Sequence, residues 1–178
     1  MLLTIGGIGE FLLGNTFPMC VFFGYGAHFF TFATVFIPYY GAIAFPAASG
    51  GTSPADAPYD VTATWANSFG FYPIALGMLS FIFLICSLRT NAIFVAIFIF
   101  ATIGFGFASA SLWYTGQGQA ATGVTMIVGC GACFFAADLL GWYLFAAIMF
   151  ATMELPLPDL PVFDLSTVVK AKSRAKQE

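Results

Sequence analysis

Apolar positions in this chain do not alternate with polar ones; they run on in blocks. Met1 to about Leu13, Phe17 to Ile37, Ser68 to Leu88, Ala92 to Trp113 and Thr122 to Met153 are almost free of charge, which predicts helices immersed in lipid. Four of these blocks are long enough to cross ~30 Å of hydrocarbon at about 1.5 Å per residue, and the first is too short. Polar punctuation separates them. Gly14-Asn15-Thr16 is a turn, and Pro18 then falls in a first helical turn, where its missing N–H costs nothing. The segment 38–67 is rich in Pro, Gly, Ser, Thr and Ala, with Asp56 and Asp60 but no Lys or Arg, and reads as an exposed loop. Arg89-Thr90-Asn91 is a tight connection, Thr115 to Ala120 a short polar linker, and Pro156, Pro158 and Pro161 keep the start of the tail from being helical. Tyr59, Trp65, Trp113 and Tyr114 suit the membrane interface, and Gly104-Phe105-Gly106 suits close helix packing.

The expected fold is therefore all-α: a polytopic transmembrane helix bundle over residues 1–153, with five helices, followed by a tail over 154–178. Orientation follows from the cations, Arg89 in one turn and Lys170, Lys172, Arg174 and Lys176 in the tail, which belong on the cytoplasmic side. The loop 38–67 then faces outward. The same parity leaves the start of the first helix outside unless another helix precedes it.

Composition agrees: 7% of residues are charged, against about 25% in soluble domains. With a net charge of −3 and its basic cluster confined to the tail, the chain offers nucleic acid no binding face. Cys20, Cys86, Cys130 and Cys133 all fall in apolar blocks, where cysteine behaves as a small hydrophobe. Cys130-x-x-Cys133 lacks the βαβ context of a redox motif. The first block has neither the basic start nor the cleavage site of a signal peptide. One His, no H-E-x-x-H and no phosphate loop leave no basis for an enzyme, a metal site or a cofactor.

A few polar side chains within the blocks are candidates for chemistry. Glu10 is a carboxylate in a membrane segment, where an ionisable group is costly and faces a cavity or a partner; it also lies near a helix end, within reach of water or of the next helix N-terminus. Asp138 lies deeper and shares a helix face with Phe134, Gly141 and Trp142, as a titrating group or as a tie between helices. Tyr25 and His28 stand three apart, nearly on one face, fit to relay protons or select an anion, or simply to hydrogen-bond a neighbouring helix. Asn15 and Thr16 suit an anion-binding helix start or plain capping.

These residues resemble a family signature. Glu10-Phe11-x-x-Gly14-Asn15-Thr16-Phe17 followed by Tyr25-Gly26 is similar to the motif of the acetate uptake transporter family, which includes the fungal acetate and ammonium-outward transporters and the bacterial succinate-acetate permease. Ser87-Leu88-Arg89-Thr90-Asn91, Gly141-Trp142-Tyr143, Leu160-Pro161-Val162 and Asp164-Leu165-Ser166-Thr167 resemble later fungal segments in the same order. The resemblance implies a six-helix fold in a hexamer, carrying acetate or a similar monocarboxylate with protons through each protomer, at the plasma membrane. It implies that Tyr25 belongs to a hydrophobic constriction whose aliphatic member falls at Ala101, with Phe100 beside it, and that Glu10 and Asn15 occupy motif positions. Departures are the absence of the family's N-P-A-P-L-G helix, His28 in an aromatic position, and Asp138. The expected function is proton-coupled transport of acetate or a related monocarboxylate. An ammonium or small-solute channel, or a non-transporting subunit associating with full-length paralogues, are the alternatives.

Overall fold

The computed structural model describes residues 1–42 and 61–169. The described residues form α1 (Leu2–Leu12), α2 (Thr16–Val35), a 3₁₀ turn (Pro38–Tyr40), α3 (Val61–Phe69), α4 (Phe71–Ser87), α5 (Ala92–Gly116) and α6 (Ala120–Thr152). Among the described residues, four stretches are long and apolar enough to cross a bilayer: α2, Ala63–Ser87, α5 and α6, of 20, 25, 25 and 33 residues. The protein is an integral membrane protein, and its apolar residues are distributed to match. Phe135, Leu139 and Trp142 on α6 are more than half exposed, whereas Phe98 and Ser80 are sealed inside. The chain divides into two compact units, residues 1–73 with 109–125, and residues 74–108 with 126 onward.

In the first unit, Gly14 turns the chain between α1 and α2 at φ +78°, a left-handed conformation that costs other L-residues ~1 kcal/mol or more. The helices then run back antiparallel, as the residue pairs require: Gly7 lies on the Phe23 ring, and a Cβ on Gly26 would come 3.0 Å from Thr4 Oγ1. Glycine thus lets the two backbones approach.

Helix α3 corrects one expectation. Residues 61–67 read as the end of a loop segment rich in Pro, Gly, Ser, Thr and Ala, yet the helix begins at Val61. What the composition concealed is one apolar stripe: Ala66 is buried, and the Trp65 and Phe69 rings, four apart, stack at 5.0 Å. Asp56, Tyr59 and Asp60 lie outside the described residues, as does the basic run 170–176. Pro73 accounts for the break between α3 and α4, because it has no N–H for the Phe69 carbonyl and its ring crowds that oxygen. Gly70 fills the break, and any Cβ there would strike the Trp113 ring. Trp113 Nε1 donates to the Asn67 carbonyl (3.2 Å), and Asn67 Nδ2 to the Gly116 carbonyl (3.2 Å), so α3 is tied to the end of α5.

In the second unit, the Phe83 and Phe98 rings meet at 5.7 Å between α4 and α5. A Cβ on Gly104 would lie 3.2 Å from the Phe134 ring, so α5 and α6 pack closely there, whereas Gly106 has nothing within 4 Å. The tail is docked. Ala92 N–H donates to the Phe163 carbonyl (3.1 Å) and Leu165 N–H to the Thr90 carbonyl (2.9 Å), Arg89 Nε to the Val169 carbonyl (3.2 Å), and Tyr143 Oη to the Pro161 carbonyl (2.8 Å).

Candidate functional site

The α1–α2 turn supplies the first polar cluster. Asn15 stands at the N-cap of α2, but its side chain makes no capping bond. Its amide Nδ2 instead donates to Glu10 Oε2 at 2.7 Å, while its backbone N–H meets the Glu10 carbonyl at 2.9 Å. Capping therefore does not explain Asn15. The left-handed Gly14 is what lets a residue five positions on fold back over the carboxylate, a charge-assisted bond of the stronger kind. Thr16 is the first helical residue and lies exposed beside this pair.

Three turns along α2, His28 forms the second cluster, and it was only half legible. The sequence offers His28 with Tyr25; the structure pairs it with Tyr72, on α4. His28 Nδ1 and Tyr72 Oη are 3.0 Å apart, and the same hydroxyl reaches the His28 carbonyl at 3.4 Å. Thr31 is a further hydrogen-bonding neighbour of that hydroxyl. Aromatic rings enclose the pair: Phe29 and Phe32 lie 5.1 and 5.5 Å from the imidazole, and Phe69 stacks on Tyr72 at 5.2 Å. Tyr72 opens α4 just ahead of Pro73, and nothing in its local sequence marks it as a histidine partner. Tyr25 is half-buried one turn earlier on α2.

Phe100 and Ala101 belong to the second unit, on α5, where Ala101 is buried and Phe100 half-buried. Asp138 is exposed on α6 beside a shallow recess of about 300 Å³ that Gly141, Trp142 and Phe145 also line. Gly141 and Trp142 thus share its face, while Phe134 turns inward onto Phe105 at 5.0 Å. Asp138 makes no hydrogen bond among the described residues. Ser109 on α5 is a candidate the sequence does not single out: it is fully buried, and its hydroxyl has no partner among the described residues. A buried hydroxyl left unmet costs about 1–3 kcal/mol. All four cysteines are free thiols, and no group of metal-binding side chains occurs among the described residues.

The comparisons with known proteins fit this arrangement. Residues 1–166 match the GPR1/FUN34/yaaH family. The protein alcS of Aspergillus fumigatus is 40% identical over 174 residues, covering 97% of this chain and 62% of its own length. The acetate transporter protein patA of Aspergillus clavatus is 26% identical over 140 residues, covering 79% of this chain and 52% of its own. The ammonia transport outward protein 2 of Saccharomyces cerevisiae is 26% identical over 101 residues, covering 57% of this chain and 32% of its own. The chain thus spans less than two thirds of the length of each of these relatives. No solved structure matches it. With a family match over nearly the whole described chain, and with Glu10, Asn15, Tyr25 and His28 all inside it, this chain belongs to the GPR1/FUN34/yaaH family, the acetate uptake transporters that its motifs resemble.

Proposed function

We propose that this protein carries acetate or a similar short monocarboxylate, together with a proton, across the plasma membrane. What carries the reading is the family match over residues 1–166, which takes in every polar candidate and in which two relatives bear the name acetate transporter protein patA. In this mechanism Glu10 or His28 exchanges the proton. Asn15 holds the Glu10 carboxylate in one orientation, and Tyr25 supplies an aromatic wall that strips water from the anion. Phe100 and Ala101 are the constriction candidates on α5. The chain works as an oligomer, a hexamer by family likeness, with Arg89 and the tail on the cytoplasmic face.

Transport of a neutral pair, carboxylate plus proton, avoids the cost of taking a bare charge through hydrocarbon. Labelled-acetate uptake in fungal cells stripped of their own acetate permeases tests it. Uptake is expected to rise at acidic external pH and to fall about tenfold or more in Glu10→Gln, the equivalent of ~1.4 kcal/mol. Uptake indifferent to external pH would overturn the proton coupling. The likeness to the ammonia transport outward protein 2 supports ammonium as a second cargo, and competition of ammonium against acetate in the same cells separates the two.

A further inference from the structure

We infer that the end of the tail is a lipid-binding element: the basic run 170–176 engages the anionic headgroups of phospholipids beside the α4–α5 turn. The chain has five Lys and Arg side chains, Arg89 in that turn and Lys170, Lys172, Arg174 and Lys176 in the run. Arg89 and Val169 are 80 residues apart in sequence, yet Arg89 Nε donates to the Val169 carbonyl at 3.2 Å. That carbonyl belongs to the peptide bond leading into Lys170. Folding thus makes every Lys and Arg of the chain issue from one place.

That place is a membrane boundary. Residues 88–91 join two stretches long and apolar enough to span, Ala63–Ser87 and Ala92–Gly116, so both leave the hydrocarbon there. The tail is fixed at the same level. Ala92 N–H donates to the Phe163 carbonyl (3.1 Å), Leu165 N–H to the Thr90 carbonyl (2.9 Å), and Val169 N–H returns to the Leu165 carbonyl (3.0 Å). A run of seven residues reaches at most ~25 Å from Val169. The attraction between a basic juxtamembrane segment and an anionic surface fades within a Debye length of about 8–10 Å. Tethering the start of the run at the boundary therefore decides that the attraction is felt.

The competing partner within reach is the chain's own acid. Glu154, Asp159 and Asp164 precede the run and Glu178 follows it, but no acidic residue lies between Lys170 and Gln177. Asp164, the nearest of the three upstream, already accepts from the Ser166 N–H (2.8 Å) and hydroxyl (3.0 Å). Cations on alternate residues, separated by Ala171, Ser173 and Ala175, thus carry a concentrated positive charge that an anionic headgroup layer complements. That this layer is the cytoplasmic leaflet, where anionic lipids gather, rests on the orientation proposed above; the match of charge does not.

The chain's lysines are Lys170, Lys172 and Lys176, all inside the run, so reductive ¹³C-methylation, which keeps their charge, labels this element of the whole protein; the N-terminal amine, which also reacts, resolves at a different shift. The labelled chain is placed in nanodiscs of phosphatidylcholine, with or without phosphatidylserine, doped with a phosphatidylcholine bearing a nitroxide on its headgroup. The lysine methyl lines are expected to be broadened away in the phosphatidylserine discs and to remain in phosphatidylcholine alone. Salt at about 1 M, where the screening length falls to ~3 Å, is expected to bring them back. Arg174→Glu keeps all three reporters and is expected to restore the lines at lower salt than wild type needs. Lines that survive in both kinds of disc, or that broaden equally in both, overturn the proposal, the second result assigning the run to the chain's own carboxylates or to uncharged contacts. An Arg174→Glu spectrum identical to wild type at every salt concentration overturns the role of charge. Both leaflets of a nanodisc have the same lipid, and no transport is read, so failure of the orientation or of the acetate reading leaves these outcomes unchanged.

Discussion

At the scale of single residues, the two polar clusters differ in what holds them. Asn15 reaches Glu10 across a left-handed glycine, so the pair depends on local chain geometry and was nearly readable from the Glu10 to Asn15 spacing. Asn15→Ala is expected to remove the 2.7 Å bond at a cost of about 1 kcal/mol and to reduce acetate uptake while leaving expression unchanged. Asn15→Asp sets a second carboxylate against the first and is expected to reduce uptake further, with partial recovery at acidic pH as one carboxyl takes a proton; equal uptake in both variants would show that charge at this position does not matter. His28 and Tyr72 are 44 residues apart, and no local pattern links them.

Helical elements meet through glycine in both units, but the glycines are not equivalent. Gly70 has the Trp113 indole where a Cβ would stand, whereas Gly106 has open space. Gly70→Ala must push the indole away and break its bond to the Asn67 carbonyl. That is expected to cost about 1–3 kcal/mol, the range for overpacking, read as a lower thermal midpoint in detergent. Gly106→Ala is the control, expected to be neutral or stabilising by up to ~1 kcal/mol through helix propensity. Equal midpoints for the two variants would contradict the packing described for α3 and α5. Helix α3 itself escaped the sequence reading because its apolar stripe is narrow and its composition is that of a loop.

Whole-molecule organisation turns on the tail, which crosses back to pair with the α4–α5 turn. Two motifs far apart in the sequence, Ser87-Leu88-Arg89-Thr90-Asn91 and Asp164-Leu165-Ser166-Thr167, are there side by side, with Asn91 bridged to Asp164. Arg89→Ala combined with Tyr143→Phe removes two of the tail's anchors and is expected to speed proteolysis between residues 161 and 169 while the helices melt as before. Asp164 adds a pH dependence. The Ser166 backbone N–H (2.8 Å) and hydroxyl (3.0 Å) both donate to its carboxylate and hold its pKa below the ordinary 3.8. A depressed carboxylate stabilises the fold above its unfolded value and loses that effect as the pH falls through its folded value. The tail turn is therefore expected to stay closed at neutral and mildly acidic pH and to loosen only below the ordinary carboxylate range, read from the Ser166 amide resonance. A transition centred above 3.8 would contradict this.

The sequence by itself determined that the protein lies in a membrane, roughly where its long helices run, and which family motif it carries, because uninterrupted apolar blocks and short polar signatures are local properties of a chain. Only tertiary structure decided that Tyr72 is a partner of His28, that Trp113 needs a glycine at position 70, and that the tail closes over the α4–α5 turn. Each of these is a contact whose geometry exists only once distant segments are packed, and the residue types alone are compatible with several others.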